Sequence, residues 1–247
     1  MNTVLITGSS SGYGLETARH FLDRGWKVIA TMRTPRTDLL PESPRLRVLA
    51  LDVTNPKSIA AAVDAAGPID VLVNNAGIGL LGAFEATPMA LTREIFETNT
   101  FGPMAVTQAV LPQFRLRKSG VIVNVTSSAT LAPFPLVAVY TASKTAVEGF
   151  TESLALELKP FNVRVKLVEP GYGPNTRFIE NSGSRMQGLI AEPYANYVQG
   201  VFAEFADVTL STSATDVAEA VWNAANDGSD RMHYPAGPDA VALAKGR

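Results

Sequence analysis

The chain has 247 residues, 46% apolar and 18% charged, with a net charge of −2 and no cysteine. That is an ordinary globular composition, and it offers no basic field to a nucleic acid. Disulfides, thiolate nucleophiles and cysteine-built zinc sites are excluded, and His20 and His233 are too few for a multi-histidine metal cluster, so no metal is expected. Met1 leads straight into the apolar run Thr3-Val4-Leu5-Ile6 with no charged leader, and no apolar run approaches the roughly 18 residues that span a bilayer. The expectation is a cytoplasmic protein without membrane contact.

Taken in chain order, short β-branched runs alternate with stretches of helical period. Strands are predicted at 3–7, 26–31, 46–51, 69–74, 120–126, 162–168 and 231–235, and helices near 14–24, 56–66, 92–118 and 142–159. Most of the strand runs are continuously apolar, as strands buried on both faces must be. The alternation predicts an α/β fold, a parallel sheet of about seven strands with helices on both faces. The last long helix should stop before Pro160, which has no N–H to continue the ladder. With no repeat, low-complexity tract or charged linker, residues 1–247 read as a single domain. The one long irregular stretch, about 171–212, reads as a lid over a substrate.

Between the first strand and the first helix stands Thr7-Gly8-Ser9-Ser10-Ser11-Gly12-Tyr13-Gly14. A glycine-rich turn at that point lets the backbone approach a pyrophosphate, while the helix N-terminus supplies N–H groups and partial positive charge. The spacing departs from the plain G-x-G-x-x-G pattern. Further on, Tyr140 and Lys144 are four residues apart at the head of a helical segment, which puts phenol and ammonium on one face. One ammonium about 4 Å away, at an effective dielectric near 20, could lower a phenol pKa by about 3 units. Ser127 closes the apolar run Val121–Val125, at the C-terminal end of a strand, where ligands bind in open α/β sheets.

These residues, with others in order along the chain, resemble the short-chain dehydrogenase/reductase family. The resemblance extends to Asp52-Val53 after the third strand, Asn74-Asn75-Ala76-Gly77 after the fourth, Asn99 in the next helix, and Pro170-Gly171 after the sixth. It implies a doubly wound, Rossmann-type sheet and hydride transfer between a nicotinamide and a carbonyl or alcohol carbon. By the same resemblance Tyr140 exchanges the proton with the substrate oxygen, Ser127 holds that oxygen, and Lys144 lowers the Tyr140 pKa and bonds the nicotinamide ribose. The cofactor would lie along Gly8, Ser10, Ser11, Gly12, Tyr13, Gly14, Asp52, Val53, Asn75, Ala76, Gly77, Pro170, Gly171 and Gly173. Family members commonly pair helices 92–118 and 142–159 into homodimers or homotetramers.

In the family the backbone carbonyl of the residue at position 99 binds a water at a helix kink. The sequence itself argues that this carbonyl is free here, because its helical partner would be the N–H of residue 103, which is Pro103. Cofactor choice turns on Ala30-Thr31-Met32-Arg33-Thr34. A carboxylate that would favour NAD is missing after the second strand, and Arg33, with Arg36 nearby, suits the 2′-phosphate of NADP. The run Tyr172-Gly173-Pro174-Asn175-Thr176 departs from the family pattern by one residue, so either Asn175 or Thr176 would contact the carboxamide.

The site's surroundings read as apolar: Ala129, Leu131, Pro133, Phe134, Pro135 and Leu136 after Ser127, then Ile78, Leu80 and Leu81. In the lid stand Tyr172, Phe178, Met186, Tyr194 and Tyr197, with Arg177 and Arg185 expected to point to solvent. A hydrophobic ketone or secondary alcohol is the expected substrate. Two alternatives stay open: a protein that binds NADP(H) without turnover, and an epimerase-type enzyme, although only 77 residues follow Pro170.

Overall fold

A computed structural model of the chain describes residues 1–174, 183, 185–206 and 210–246. Seven strands form one sheet: β1 (Thr3–Ile6), β2 (Lys27–Met32), β3 (Leu46–Ala50), β4 (Val71–Asn74), β5 (Gly120–Val125), β6 (Val163–Pro170) and β7 (His233–Ala236). Their order is β3-β2-β1-β4-β5-β6-β7, and every pairing is parallel. The chain winds outward from β1 to β3, then returns to lay β4 on the other side of β1. At such a reversal the connections leave in opposite directions and open a crevice beyond the strands' C-terminal ends.

The helices are α1 (Gly12–Asp23), α2 (Pro56–Ala66), α3 (Met89–Phe96), α4 (Gly102–Arg117), α5 (Ala138–Leu158), α6 (Ala195–Ala206), α7 (Ala214–Asn226) and α8 (Pro238–Ala244). Alternation along the strands feeds two cores. Val4, Ile6, Val28 and Val123 face Phe21 and Leu22 of α1 and Val217 and Val221 of α7. Leu5, Ile29, Leu72 and Ile122 face Ile59 of α2, Val106, Val110 and Phe114 of α4, and Leu154 and Leu158 of α5. At about 1.5–3 kcal/mol for each fully buried large apolar side chain, these two layers dominate the stability of the fold.

Three sequence expectations are corrected. The predicted helix 92–118 is two helices, α3 and α4, joined by a π turn over Glu97–Phe101. Within the irregular stretch 171–212 lies α6, whose apolar residues Val198 and Val201 are buried. The helix carrying Tyr140 begins at Ala138 rather than near 142, and α7 and α8 went unread in the sequence.

Candidate active site

The crevice beyond β1 and β4 is floored by two turns that lock together. Thr7 accepts, on its Oγ1, the N–H groups of both Asn75 and Ala76 at 3.0 Å. The Asn75 amide donates back to the carbonyls of Thr7 and Gly8 at 3.0 and 3.2 Å. The approach is so close that a Cβ on Gly8 would stand 2.8 Å from the Ala76 Cα, and Gly8 also has φ +71°, a region that favours glycine. Gly14 has no room for a side chain against Asn75 and the Gly8 carbonyl. The glycines therefore press the turn flat. The first helical bond of α1 runs from Leu15 N–H to the Ser11 carbonyl, so the N–H groups of Gly12, Tyr13 and Gly14 precede the ladder, and Ser11 makes no side-chain cap over them. Exposed Ser10 and partly exposed Ser11, Gly12 and Tyr13 border this end. A helix end of this kind could hold a pyrophosphate.

Next to it, the end of β5 meets the head of α5. Ser127 caps a short turn, its Oγ accepting the Ala129 N–H at 3.2 Å, and it is hydrogen-bonded to the Tyr140 phenol. Lys144 is 6% exposed, and its Nζ donates to the Val125 carbonyl at 3.0 Å. A Cβ on Gly77 would be 3.3 Å from Asn99 Oδ1 and 3.4 Å from Lys144 Nζ, so the turn after β4, Asn99 and Lys144 converge on one point. Beneath them a polar strut crosses the sheet. The Asn74 amide donates to Asn124 Oδ1 and to Thr107 of α4, both at 2.9 Å, and the Asn124 amide donates to Thr151 of α5 at 2.7 Å.

The electrostatics correct one expectation. Burial pushes the Tyr140 phenol up to about 12, with the Ser127 hydrogen bond acting the other way, and Lys144 does not offset it. The reason is visible at Lys144 itself: burial pulls its ammonium down to about 8, against the Glu148 charge. Tyr140 is thus held as a protonated phenol through the neutral range.

Asn99 is fully buried in the π turn, where Gly102 N–H reaches back five residues to the Glu97 carbonyl. Pro103 occupies the position whose N–H a regular helix would need, and the widened turn lies where its absence breaks the α ladder. The expectation concerned the carbonyl of Asn99; the side chain proves to have work of its own. Its Oδ1 accepts Ile78 N–H at 2.8 Å and its Nδ2 donates to the Ile78 carbonyl at 2.9 Å, clamping the loop after β4. Gly102 permits this packing, since a Cβ there would come within 2.8 Å of Val53.

At the far end of the crevice Arg33 is exposed and makes no hydrogen bond or ion pair among the described residues, whereas Arg36 is committed to Asp38 at 2.7 Å. Asp52 accepts the N–H and hydroxyl of Thr54 at 2.9 and 2.8 Å, which hold its carboxyl below the usual range. At the end of β6 Pro170 is buried, and after it Gly171 and Gly173 are partly exposed. Asp239 of α8 accepts Tyr172 N–H at 2.6 Å and the Thr212 hydroxyl at 2.5 Å, a clamp with no signature in the sequence. Asn175, Thr176, Arg177 and Phe178 lie outside the described residues.

Farther along that stretch, Ala83 N–H donates to the Leu189 carbonyl at 2.9 Å and Tyr194 donates its hydroxyl to Glu85 at 2.9 Å. Arg185, expected in solvent, is instead paired with Glu94 at 2.8 Å, because α3 presents a carboxylate to it. Leu80 is buried with Ile95, Val139 and Leu189 as packing beneath the site, and Tyr197 is exposed on α6. Among the described residues no cluster of three metal-ligating side chains occurs and no helix is long and apolar enough to cross a membrane.

A seven-stranded parallel sheet, doubly wound, with a glycine turn at its reversal point defines a Rossmann-type α/β fold. The chain belongs to the short chain dehydrogenase family, which it matches over residues 2–187. It is 45% identical over 178 residues to the uncharacterized oxidoreductase YusZ of Bacillus subtilis, covering 68% of this chain and 63% of that one. It is 41% identical to 3-ketodihydrosphingosine reductase of Bacteroides thetaiotaomicron, covering 72% and 66%, and 43% identical to bovine retinol dehydrogenase 8, covering 68% and 58%. The chain therefore matches under two thirds of the length of these relatives. A short-chain dehydrogenase from Streptomyces avermitilis superposes with a TM-score of 0.83 at 35% identity, covering 99% of this chain and 91% of that one. A Burkholderia cenocepacia enzyme in complex with NADP gives 0.77 at 28%, covering 99% and 92%. A 3-ketoacyl-(acyl-carrier-protein) reductase from Brucella melitensis complexed with NADH gives 0.79 at 26%, covering 95% and 96%.

Proposed function

We propose that this oxidoreductase transfers hydride between NADP(H) and a hydrophobic ketone or its secondary alcohol, with Tyr140 exchanging the proton. The observation that carries the reading is the meeting of Ser127, Tyr140 and Lys144 at the end of β5, beside an uncapped α1 N-terminus. The nicotinamide, when bound, supplies or accepts the hydride. The pyrophosphate would rest on the backbone of Ser10 to Gly14, with Asn75 to Gly77 and Gly171 to Gly173 holding the nicotinamide end and Lys144 the ribose.

Tyr140, its phenol held up near 12 by burial, keeps its proton through the neutral range and so has one to donate. It gives its proton to the carbonyl oxygen as that oxygen gains charge, and Ser127 fixes the oxygen by a second hydrogen bond. Lys144 places positive charge beside the phenolate that remains. In oxidation the same groups act in reverse.

NADP rather than NAD is supported by Arg33, an exposed guanidinium just after β2 that makes no hydrogen bond or ion pair among the described residues. The segment Ala30 to Thr34 itself carries no carboxylate, and only the charge of Asp52 is near. Solved relatives hold either cofactor, so the reading rests on this chain's own residue. A hydrophobic substrate is supported by the loops framing Ser127. Gly82 N–H donates to the Leu136 carbonyl at 2.8 Å and Ala83 N–H to Leu189, joining three apolar segments around the site. Two relatives named for lipophilic substrates, 3-ketodihydrosphingosine and retinol, point the same way. Outward-facing Leu116 of α4 and Leu156 of α5, about three-quarters exposed, suit a homo-oligomer built on those helices.

A panel of ketones assayed by nicotinamide absorbance with NADPH and NADH tests the reading. NADPH should be preferred, and kcat/KM should rise several-fold per added carbon, since each buried methylene contributes about 0.8 kcal/mol. A sugar or small dicarboxylate outperforming every hydrophobic ketone would overturn the substrate class, and equal use of NADH would overturn the role of Arg33.

A further inference from the structure

Glu148 lies one turn beyond Lys144 on α5 and is 6% exposed, an unusual place for a carboxylate. Its Oε1 is an acceptor for the Thr126 hydroxyl at 3.2 Å, sharing that single proton with the Val168 carbonyl at 3.3 Å. Thr126 is in turn tied to β6 by its N–H, which donates to the Val168 carbonyl at 2.8 Å. Three consecutive residues leaving β5 are thus each held by a different α5 side chain: Val125 by Lys144, Thr126 by Glu148 and Ser127 by Tyr140. The i, i+4 spacing puts Lys144 and Glu148 on one helix face. Both are buried, where opposite charges interact more strongly than in water.

We propose that Glu148 is a positioning residue of the catalytic edge: its carboxylate is the buried counter-charge one helical turn from the Lys144 ammonium, and its hydrogen bond to Thr126 sets the adjoining Ser127 hydroxyl against Tyr140. This rests on the reading of Tyr140 and Lys144 as the proton-handling pair.

The surrounding charges leave that task to Glu148. On α5, Glu152 is a further turn away and stands 3.6 Å from His233 of β7. On β6, Glu169 is bound to the Nδ1 of the same His233 at 2.6 Å. Tyr140 is neutral near pH 7, and Asn99, close to Lys144 across Gly77, carries no charge. Burial pulls the Lys144 ammonium down and the Glu148 charge opposes the fall. Neutralising Glu148 should therefore carry the titration of Lys144 to lower pH, and with it any alkaline limb that loss of the Lys144 charge gives to the activity.

The test is an NMR titration of the Lys144 side chain in the cofactor-free protein, its signal assigned by Lys144→Arg, alongside the pH profile of kcat/KM with NADPH. Glu148→Gln keeps an oxygen for Thr126 and removes the charge. It should lower the Lys144 midpoint by about one pH unit, a tenfold change in its ionisation equilibrium, and shift the alkaline limb equally. Glu148→Asp, which retains the charge at greater distance and stays informative if the amide variant does not fold, should give a smaller fall. An unchanged midpoint in either folded variant overturns the proposal. Because the titration needs no cofactor and no turnover, a shifted midpoint in a protein inactive on every carbonyl would refute the catalytic reading while leaving the Lys144–Glu148 coupling in place.

Discussion

Along β5 and α5 the functional groups are buried or bonded on fixed elements: Lys144 on Val125, Glu148 on Thr126, Ser127 on Tyr140, with Asn74 and Asn124 bracing the sheet below. The stretch following β6 is held differently. Its described residues meet the body through the Asp239 clamp on Tyr172 and Thr212, the Leu189 contact with Ala83, and surface pairs such as Tyr194 with Glu85 and Arg185 with Glu94. On the proposed reading the first wall would fix the reacting atoms, and the described residues of the second, held largely through surface pairs, would contribute to substrate fit. Damage to the first should appear mainly in kcat, and damage to the second mainly in KM.

The largest effect should come from Tyr140→Phe. Removing the proton donor from a prealigned edge should lower kcat by about 10²–10⁴-fold, while NADPH binding measured by calorimetry stays near that of the wild type. Lys144→Ala should weaken both turnover and cofactor affinity. Arg33→Asp comes next. It removes a charge-assisted bond to the 2′-phosphate, so NADPH affinity should drop by about one to two decades and the preference should turn toward NADH.

On the other wall, Asp239→Ala deletes the acceptor of two hydrogen bonds. About 2 kcal/mol of stability should go with them, seen as a Tm lower by about 4–8 °C, and KM for the ketone should rise more than kcat falls. The smallest effect should be Arg185→Ala. Its pair with Glu94 is partly exposed on both sides, such pairs contribute about 0–1 kcal/mol, and KM should change by less than about fivefold. If Arg185→Ala or Asp239→Ala reduced kcat as deeply as Tyr140→Phe, the contrast between the two walls would fail.

Most of the sheet was legible because its central strands are buried on both faces and read as apolar runs, such as Val4-Leu5-Ile6 and Val121-Ile122-Val123. At Asn99 the missing N–H of Pro103 marked a disturbed ladder, but the division of 92–118 into α3 and α4 by a π turn did not show in the helical period. What escaped depends on chain segments distant in sequence: Asp239 reaches Tyr172 and Thr212 across a fold that no local pattern announces. Arg185 was assigned to solvent since nothing nearby in sequence reveals that Glu94 of α3 faces it. Glu148 had a local signal, a carboxylate four residues after Lys144, but such pairs are ordinary on helix surfaces, and only burial distinguishes this one. The expected lowering of the Tyr140 pKa weighed the ammonium's charge and omitted the burial of both groups.

The central claim, hydride transfer at the Ser127–Tyr140–Lys144 edge, is tested most directly by reducing a hydrophobic aryl ketone with stereospecifically 4-deuterated NADPH and analysing the alcohol by mass spectrometry and NMR. The account predicts one deuterium on the carbinol carbon, from one face of the cofactor only, with the wild type and with no detectable transfer over the same interval by Tyr140→Phe. Alcohol formed without deuterium at that carbon, or labelled alcohol formed by Tyr140→Phe at the wild-type rate, would contradict it.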